Sequence, residues 1–342
     1  MSMSRRQFGL SGVGAGLALA APGSAWPQEG RAAPPVEVET PEGALALQAL
    51  TNQVTRMAVE ASVDGQGPYS FIIDTGAERT SVSAELAERL ALPPGPDVMV
   101  HGVAGPERTR SVRIDRFRLG AHEFQDLHAP VFPRQNAGVA GLVGIDVLQN
   151  FRLVFDVRNS EVLLGRASRG SRGATIATGG SDFTTGSRLL TRTTLRGRRY
   201  GRQLIISEVQ AEGIPVDAFI DSGAQYSVGN MALWRSVAAR RPSLSGDQYT
   251  VPLIGVTGQQ VTGRIAQLAS LRLGRTTVRD VAAVFADLHA FSILGLTERP
   301  ALLLGADVIG LFQRVLVDFG TDEVRFGSLR RAPRNTVTRA SA

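Results

Sequence analysis

Two short motifs carry the chemistry this sequence can do. Asp74-Thr75-Gly76-Ala77 follows the apolar run Phe71-Ile72-Ile73, and Asp221-Ser222-Gly223-Ala224 follows Ala218-Phe219-Ile220. Each places a carboxylate at the end of a buried strand, with a small hydroxyl residue and a glycine behind it. For either aspartate alone, a structural cap is a competing reading. As a pair they point to carboxyl groups that meet. Two such groups cannot both ionise, so they share a proton and can serve as acid and base on one water.

The elements that must position them are themselves repeated. Asp74 maps to Asp221 and Pro68 to Pro215 at an offset of 147. Gly102-Val103-Ala104-Gly105 maps to Gly255-Val256-Thr257-Gly258, and Gly144-Ile145-Asp146-Val147 to Gly305-Ala306-Asp307-Val308, in the same order at slowly growing offsets. A duplicated domain with a few loop insertions behaves this way. The expected copies are 54–166 and 202–328, each of ordinary domain size. A Gly/Ser/Thr/Arg-rich linker is expected at 167–201, with room for a strand near 188–195, together with an extended arm at 26–53 and a disordered basic tail at 329–342.

Within a copy the pattern is mostly strand, so the fold class is all-β with short helices. Residues 57–63 and 69–74 alternate around Gly65-Gln66-Gly67 as a hairpin does. A short helix is expected over 83–92, with 230–240 as its counterpart. Segments 98–103 and 108–117 read as a second hairpin, and 153–157 with 161–164 as a last one. A further short helix is expected over 147–151, with Asp146 and Asp307 as helix N-caps. Asp156 and Asp318, in the final hairpins, read as turn or solvent residues rather than catalytic ones.

With both motifs, the apolar strand before each, and the later Leu142-Val143-Gly144 and Leu303-Leu304-Gly305 elements, the chain resembles the aspartic proteases of the retropepsin-like and pepsin-like branches. The resemblance covers most of 54–328. It implies two β-barrel lobes joined as a single-chain pseudo-dimer, hence a monomer, and an endopeptidase with Asp74 and Asp221 catalytic. It further implies that Thr75 and Ser222 bond across the lobes and that Gly76 and Gly223 let backbone approach the carboxylates. Gly144 and Gly305 would pack under each motif. The tips Gly102, Val103, Ala104, Gly105 and Gly255, Val256, Thr257, Gly258 become candidate flaps over a peptide substrate, with ordinary β-turns as the alternative. Glu78-Arg79 and Gln225-Tyr226 differ between the copies, so cleavage preference does not carry over. A peptide-binding module with little turnover, and an enzyme that processes only itself, stay open beside the endopeptidase.

Composition closes off other classes. The 342 residues contain no cysteine, which excludes thiol catalysis and cysteine-held metals. All 37 basic residues are arginine, and the net charge of +6 comes without a basic-aromatic stripe, so no nucleic-acid partner is expected. His122, Glu123 and His128 lack the spacing of a zinc-protease helix, and His101 and His289 supply no ligand set, so neither metal nor cofactor is expected. Ser4-Arg5-Arg6-Gln7-Phe8-Gly9-Leu10 and the short Gly/Ala/Leu run after it resemble a twin-arginine export signal over 1–25. That implies a periplasmic or secreted protein with no stable membrane anchor after cleavage.

Overall fold

The computed structural model describes residues 18–19, 57–166, 193–242 and 249–330. The expected arm at 26–53, most of the expected signal and most of the expected tail lie outside the described residues. Ala18–Leu19 pair antiparallel with Leu253 and Ile254.

Each copy of the repeat closes a six-stranded barrel. In lobe 1 the order is Ala58–Val63, Gln66–Ile73, Gly141–Val143, Ser81–Ser83, His122–Phe132 and Ser111–Leu119, which returns to the first. Lobe 2 repeats it with Gln203–Ala211, Ile214–Ile220, Ala301–Leu304, Val228–Gly229, Thr276–Phe285 and Gln260–Leu273. Alternation drives the closure. Along Ser111–Leu119, Val112, Ile114, Phe117 and Leu119 are buried, while Arg113, Asp115, Arg116 and Arg118 face water. A closed ladder also leaves no unpaired edge.

The run before each catalytic-type motif pairs in parallel with the apolar stretch before the later glycine: Phe71–Ile73 with Gly141–Val143, and Asp217–Ile220 with Ala301–Leu304. Both strands of each pair are buried, so neither run alternates. This arrangement holds the two strand ends rigid.

An antiparallel sheet that continues from the lobe-2 strands joins the lobes. Its order is Glu161–Arg166, Phe151–Asp156, Arg314–Asp318, Glu323–Phe326 and Thr193–Tyr200. The central pairing crosses between lobes, with Arg152 opposite Asp318 and Asp156 opposite Arg314. These residues form two reciprocal ion pairs, Arg152–Asp318 at 2.7 Å and Arg314–Asp156 at 2.6 Å, with both carboxylates fully buried. Asp156 also accepts from Asn159, and Asp318 from the Gly320 and Thr321 amides. The expected turn role is therefore half of the finding: each aspartate caps its own turn and ties the other lobe.

Three further expectations are corrected. The strand expected near 188–195 runs over 193–200, and it is built into the fold rather than being part of a free linker, pairing with both lobe 2 and the joining sheet. The hairpin partner of Val98–His101 is Pro106–Thr109, while Ser111–Leu119 belongs to the barrel. Asp146 and Asp307 are not N-caps. Gly144 and Gly305 cap the short helices Ile145–Leu148 and Ala306–Ile309, and the aspartates sit inside the first turn, where they serve a different bond described below. The helices Ala84–Arg89 and Met231–Arg240 do form, N-capped by the side chains of Ser83 and Asn230.

Candidate active site

Asp74 and Asp221 leave their strands anchored by backbone. The Asp74 amide donates to Val143 O and the Asp221 amide to Leu304 O, each at 3.0 Å. The chain then folds back so that Oδ1 of each carboxylate accepts two amides of its own loop: Gly76 (2.8 Å) and Ala77 (3.0 Å) for Asp74, Gly223 and Ala224 (both 3.0 Å) for Asp221. These bonds fix one oxygen and aim the other at the opposite lobe.

Thr75 and Ser222 interlock the two loops. Thr75 Oγ1 donates to Ile220 O (2.9 Å) and accepts from the Ser222 amide (3.0 Å). Ser222 Oγ donates to Ile73 O (2.7 Å) and accepts from the Thr75 amide (3.1 Å). The four bonds run across the lobe boundary and are buried, so they are shielded from competing water. Gln203 adds a lobe-2 amide group that donates to Thr75 O and Gly76 O at 3.0 and 3.2 Å.

Glycine is required at Gly76 and Gly223 by the approach of the loops. A Cβ on Gly76 would overlap the Asp221 carboxyl, and one on Gly223 would overlap that of Asp74. Each carboxylate therefore lies against the other lobe's loop, and the two aspartates are brought together. Both are fully buried. Burial pushes the Asp221 carboxyl well up from its ordinary value; the Asp74 charge and a hydrogen bond with Asp74 raise it further, against the pull of the Ala224 and Gly223 amides. This is the environment in which one proton is shared by the pair.

Gly144 and Gly305 pack under the segment just beyond each motif rather than under the carboxylates, against Arg79-Thr80 and Tyr226. Their amides donate to Thr80 Oγ1 (3.1 Å) and Ser227 Oγ (3.0 Å). Those hydroxyls donate in turn to Asp146 (2.8 Å) and Asp307 (2.7 Å). Asp307 is pushed up to about 6 and Asp146 upward, in both cases chiefly by burial. Thr80 and Ser227 escape motif reading. They were nonetheless legible as hydroxyl residues at the same offset of 147 as the aspartates. Gln203 carried no such signal, because the position at the same offset in the first copy is Arg56.

The two tips meet each other, with Gly102 against Thr257 and Gln259 and Gly255 against Val103. Gly102–Gly105 closes a turn by a 2.8 Å bond from the Gly102 amide to Gly105 O. Gly255–Gly258 closes another, with Gly258 in the left-handed region at φ 85°. Val103, 1% exposed, packs in the lobe-2 cluster that holds Phe219, Ala224 and Phe291. Val256, also 1% exposed, packs with Ile72, Phe132 and Leu142 of lobe 1. Each tip thus crosses to the other lobe. Gln259 Oε1 accepts from the Ala104 and Gly105 amides at 3.1 Å, and its Nε2 donates to Glu107.

Among the described residues, no group of three or more His, Asp or Glu could hold a metal. His122, Glu123 and His128 lie along one strand, and no helix of the described residues is long and apolar enough to cross a membrane. No curated protein matches the chain. A family model described as aspartyl protease matches residues 59–147 and 207–308, together more than half of the chain and one match per lobe. With a repeated fold, a shared pair of buried aspartates and that double match, the chain belongs to the aspartyl protease family.

Proposed function

We propose that the protein is an endopeptidase that hydrolyses peptide bonds with water held between Asp74 and Asp221. The observation that carries this reading is the four-bond interlock of Thr75 and Ser222, which aims both buried carboxyls at one point. In the step proposed, the ionised carboxylate takes a proton from water as its oxygen adds to the peptide carbonyl. The protonated partner polarises that carbonyl. The resulting gem-diol then collapses, the C–N bond breaks, and a carboxyl proton passes to the leaving amine. No covalent bond to the protein forms. The raised Asp221 carboxyl supplies the proton-bearing partner, and the closed tips exclude bulk water from the step.

The substrate is an extended peptide or unfolded protein lying between the dyad and the tips. The chain works as a monomer, because each lobe supplies one aspartate and the joining sheet ties them. The arginine pair at Arg5-Arg6 supports export to the periplasm or beyond. Purified protein should cleave unfolded protein, and Asp74→Asn and Asp221→Asn should each remove that cleavage by about a thousandfold or more while circular dichroism is unchanged. Saturable peptide binding without turnover in the unaltered protein would favour a binding module instead.

A further inference from the structure

The lobe-1 tip is fastened to lobe 2 by a pair of histidines from different lobes. His101 ends the strand Val98–His101, and His289 begins the helix His289–Ile293. Nδ1 of His101 lies 2.9 Å from Nε2 of His289, and the rings stack with centroids 5.1 Å apart at 21°. The His289 amide also donates to Val103 O at 2.9 Å. The hairpin that carries His101 forms a two-stranded sheet of its own, with no ladder to either barrel. Its seating on lobe 2 therefore depends on these contacts, on the Gln259 bonds and on the burial of Val103 in the lobe-2 core.

We propose that His101 and His289 are positioning residues that latch the lobe-1 flap shut, and that protonating the pair releases it to admit substrate. A hydrogen bond between two ring nitrogens needs a proton on one and a lone pair on the other. Two imidazolium rings at this separation would have no acceptor and would repel. Among the described residues, no carboxylate acts on either ring to hold a second proton. Glu107, on the returning flap strand, is engaged by Gln259, and Arg108 is engaged by Asp97 at the surface. On lobe 2, Asp287 accepts from the Met231 amide. From the second tip the facing group is neutral Gln259, and from the lobe-1 helix Arg134–Ala137 it is Asn136, which donates to Val256 O.

The direction follows from the two states. In the latched state burial lowers both imidazoles from their ordinary 6.5, and His289 lowers His101 further. In the open state each ring is in water near 6.5. The open flap therefore binds more protons, the latch is complete above about pH 6.5, and it weakens as pH falls through that value. Mildly acid conditions open the cleft.

The absence of cysteine makes the test clean, and its readout needs no turnover, so it can fail independently of the proposed hydrolysis. Spin labels on Met99→Cys, exposed on the flap, and Arg235→Cys, exposed on the helix Met231–Arg240, report flap-to-lobe distance. Between about pH 7.5 and about pH 5 the ratio of a longer to the short distance should rise by about tenfold. His101→Asn with His289→Gln keeps amide groups near the two bonding nitrogens without a titrating ring, and its distance distribution should not change with pH. A distribution in the unaltered pair that is the same at both pH values would overturn the proposal. So would acid opening of equal size in the Asn/Gln variant.

Discussion

Lobe 1 carries its flap as a separate hairpin, Val98–His101 against Pro106–Thr109, whereas lobe 2 grows its flap from the barrel. There the strand Gln260–Leu273 runs on from the tip into the barrel wall, and Thr250–Ile254 pairs along its first residues. One tip stands on a hairpin with a ladder of its own; the other is braced by a fourteen-residue strand. The loops after the motifs differ too. Glu78 stands where lobe 2 has Gln225, and burial pushes its carboxyl up to about 7 against the pull of Arg202 and Arg79. Around the dyad the lobes instead match bond for bond. The lesson is that pseudo-symmetry is kept where two halves must build one object between them, and lost in the tips and loops that each half builds for itself.

That comparison can be broken most sharply at the glycines. Gly76→Ala and Gly223→Ala should each displace the opposite carboxylate and lower kcat by about a hundredfold or more. The two losses should be equal within a few-fold; a large inequality would show that the two sides of the dyad are not equivalent. Next come the reciprocal ion pairs. Arg152→Ala and Arg314→Ala each strand a buried carboxylate and should cost about 3 to 5 kcal/mol in urea unfolding. Similar values are expected, because the pairs have the same length and burial.

Removing a hydroxyl from the interlock should cost less. Thr75→Val and Ser222→Ala each leave a carbonyl and an amide unpaired across the boundary, a penalty of about 1 to 3 kcal/mol in unfolding free energy. The smallest effect tests the asymmetry itself. A carboxyl raised from 4.5 to about 7 binds its proton more readily in the folded state, so it begins to oppose folding as pH rises above 4.5 and does so fully above about 7. Glu78→Gln should therefore raise Tm at pH values above about 7.5 and leave it unchanged near pH 4. Gln225→Gly, which touches no such carboxyl, should show no comparable pH dependence, and thermal melts at both pH values will separate the two.

Much of the candidate site was legible in the chain because its rules are local and were written twice. An apolar run ending in Asp, a hydroxyl and a glycine defines a strand end and a tight loop at Asp74 and Asp221 alike. The repeat then sets the lobe boundaries of the family match and pairs Gly144 with Gly305. Asp146 and Asp307 were misjudged as caps because an acidic residue near a helix start looks the same in sequence whether it serves its own helix or a hydroxyl 66 or 80 residues away, as with Thr80 and Ser227. The strand expected near 188–195 was legible from its local pattern, but its pairing was not, because its partners lie in Gln203–Ala211 on one side and Glu323–Phe326 on the other.

By itself the sequence determined the lobes, the two carboxylates and the need for glycine beside them, since each follows from hydrophobic patterning, backbone sterics and repetition. Only the tertiary structure decided that Arg152 and Arg314 each pair with a carboxylate of the other lobe, and that His101 meets His289. Those contacts join residues 158 to 188 positions apart. No period or motif encodes such separations; the closing of two barrels and the sheet between them brings them within bonding distance.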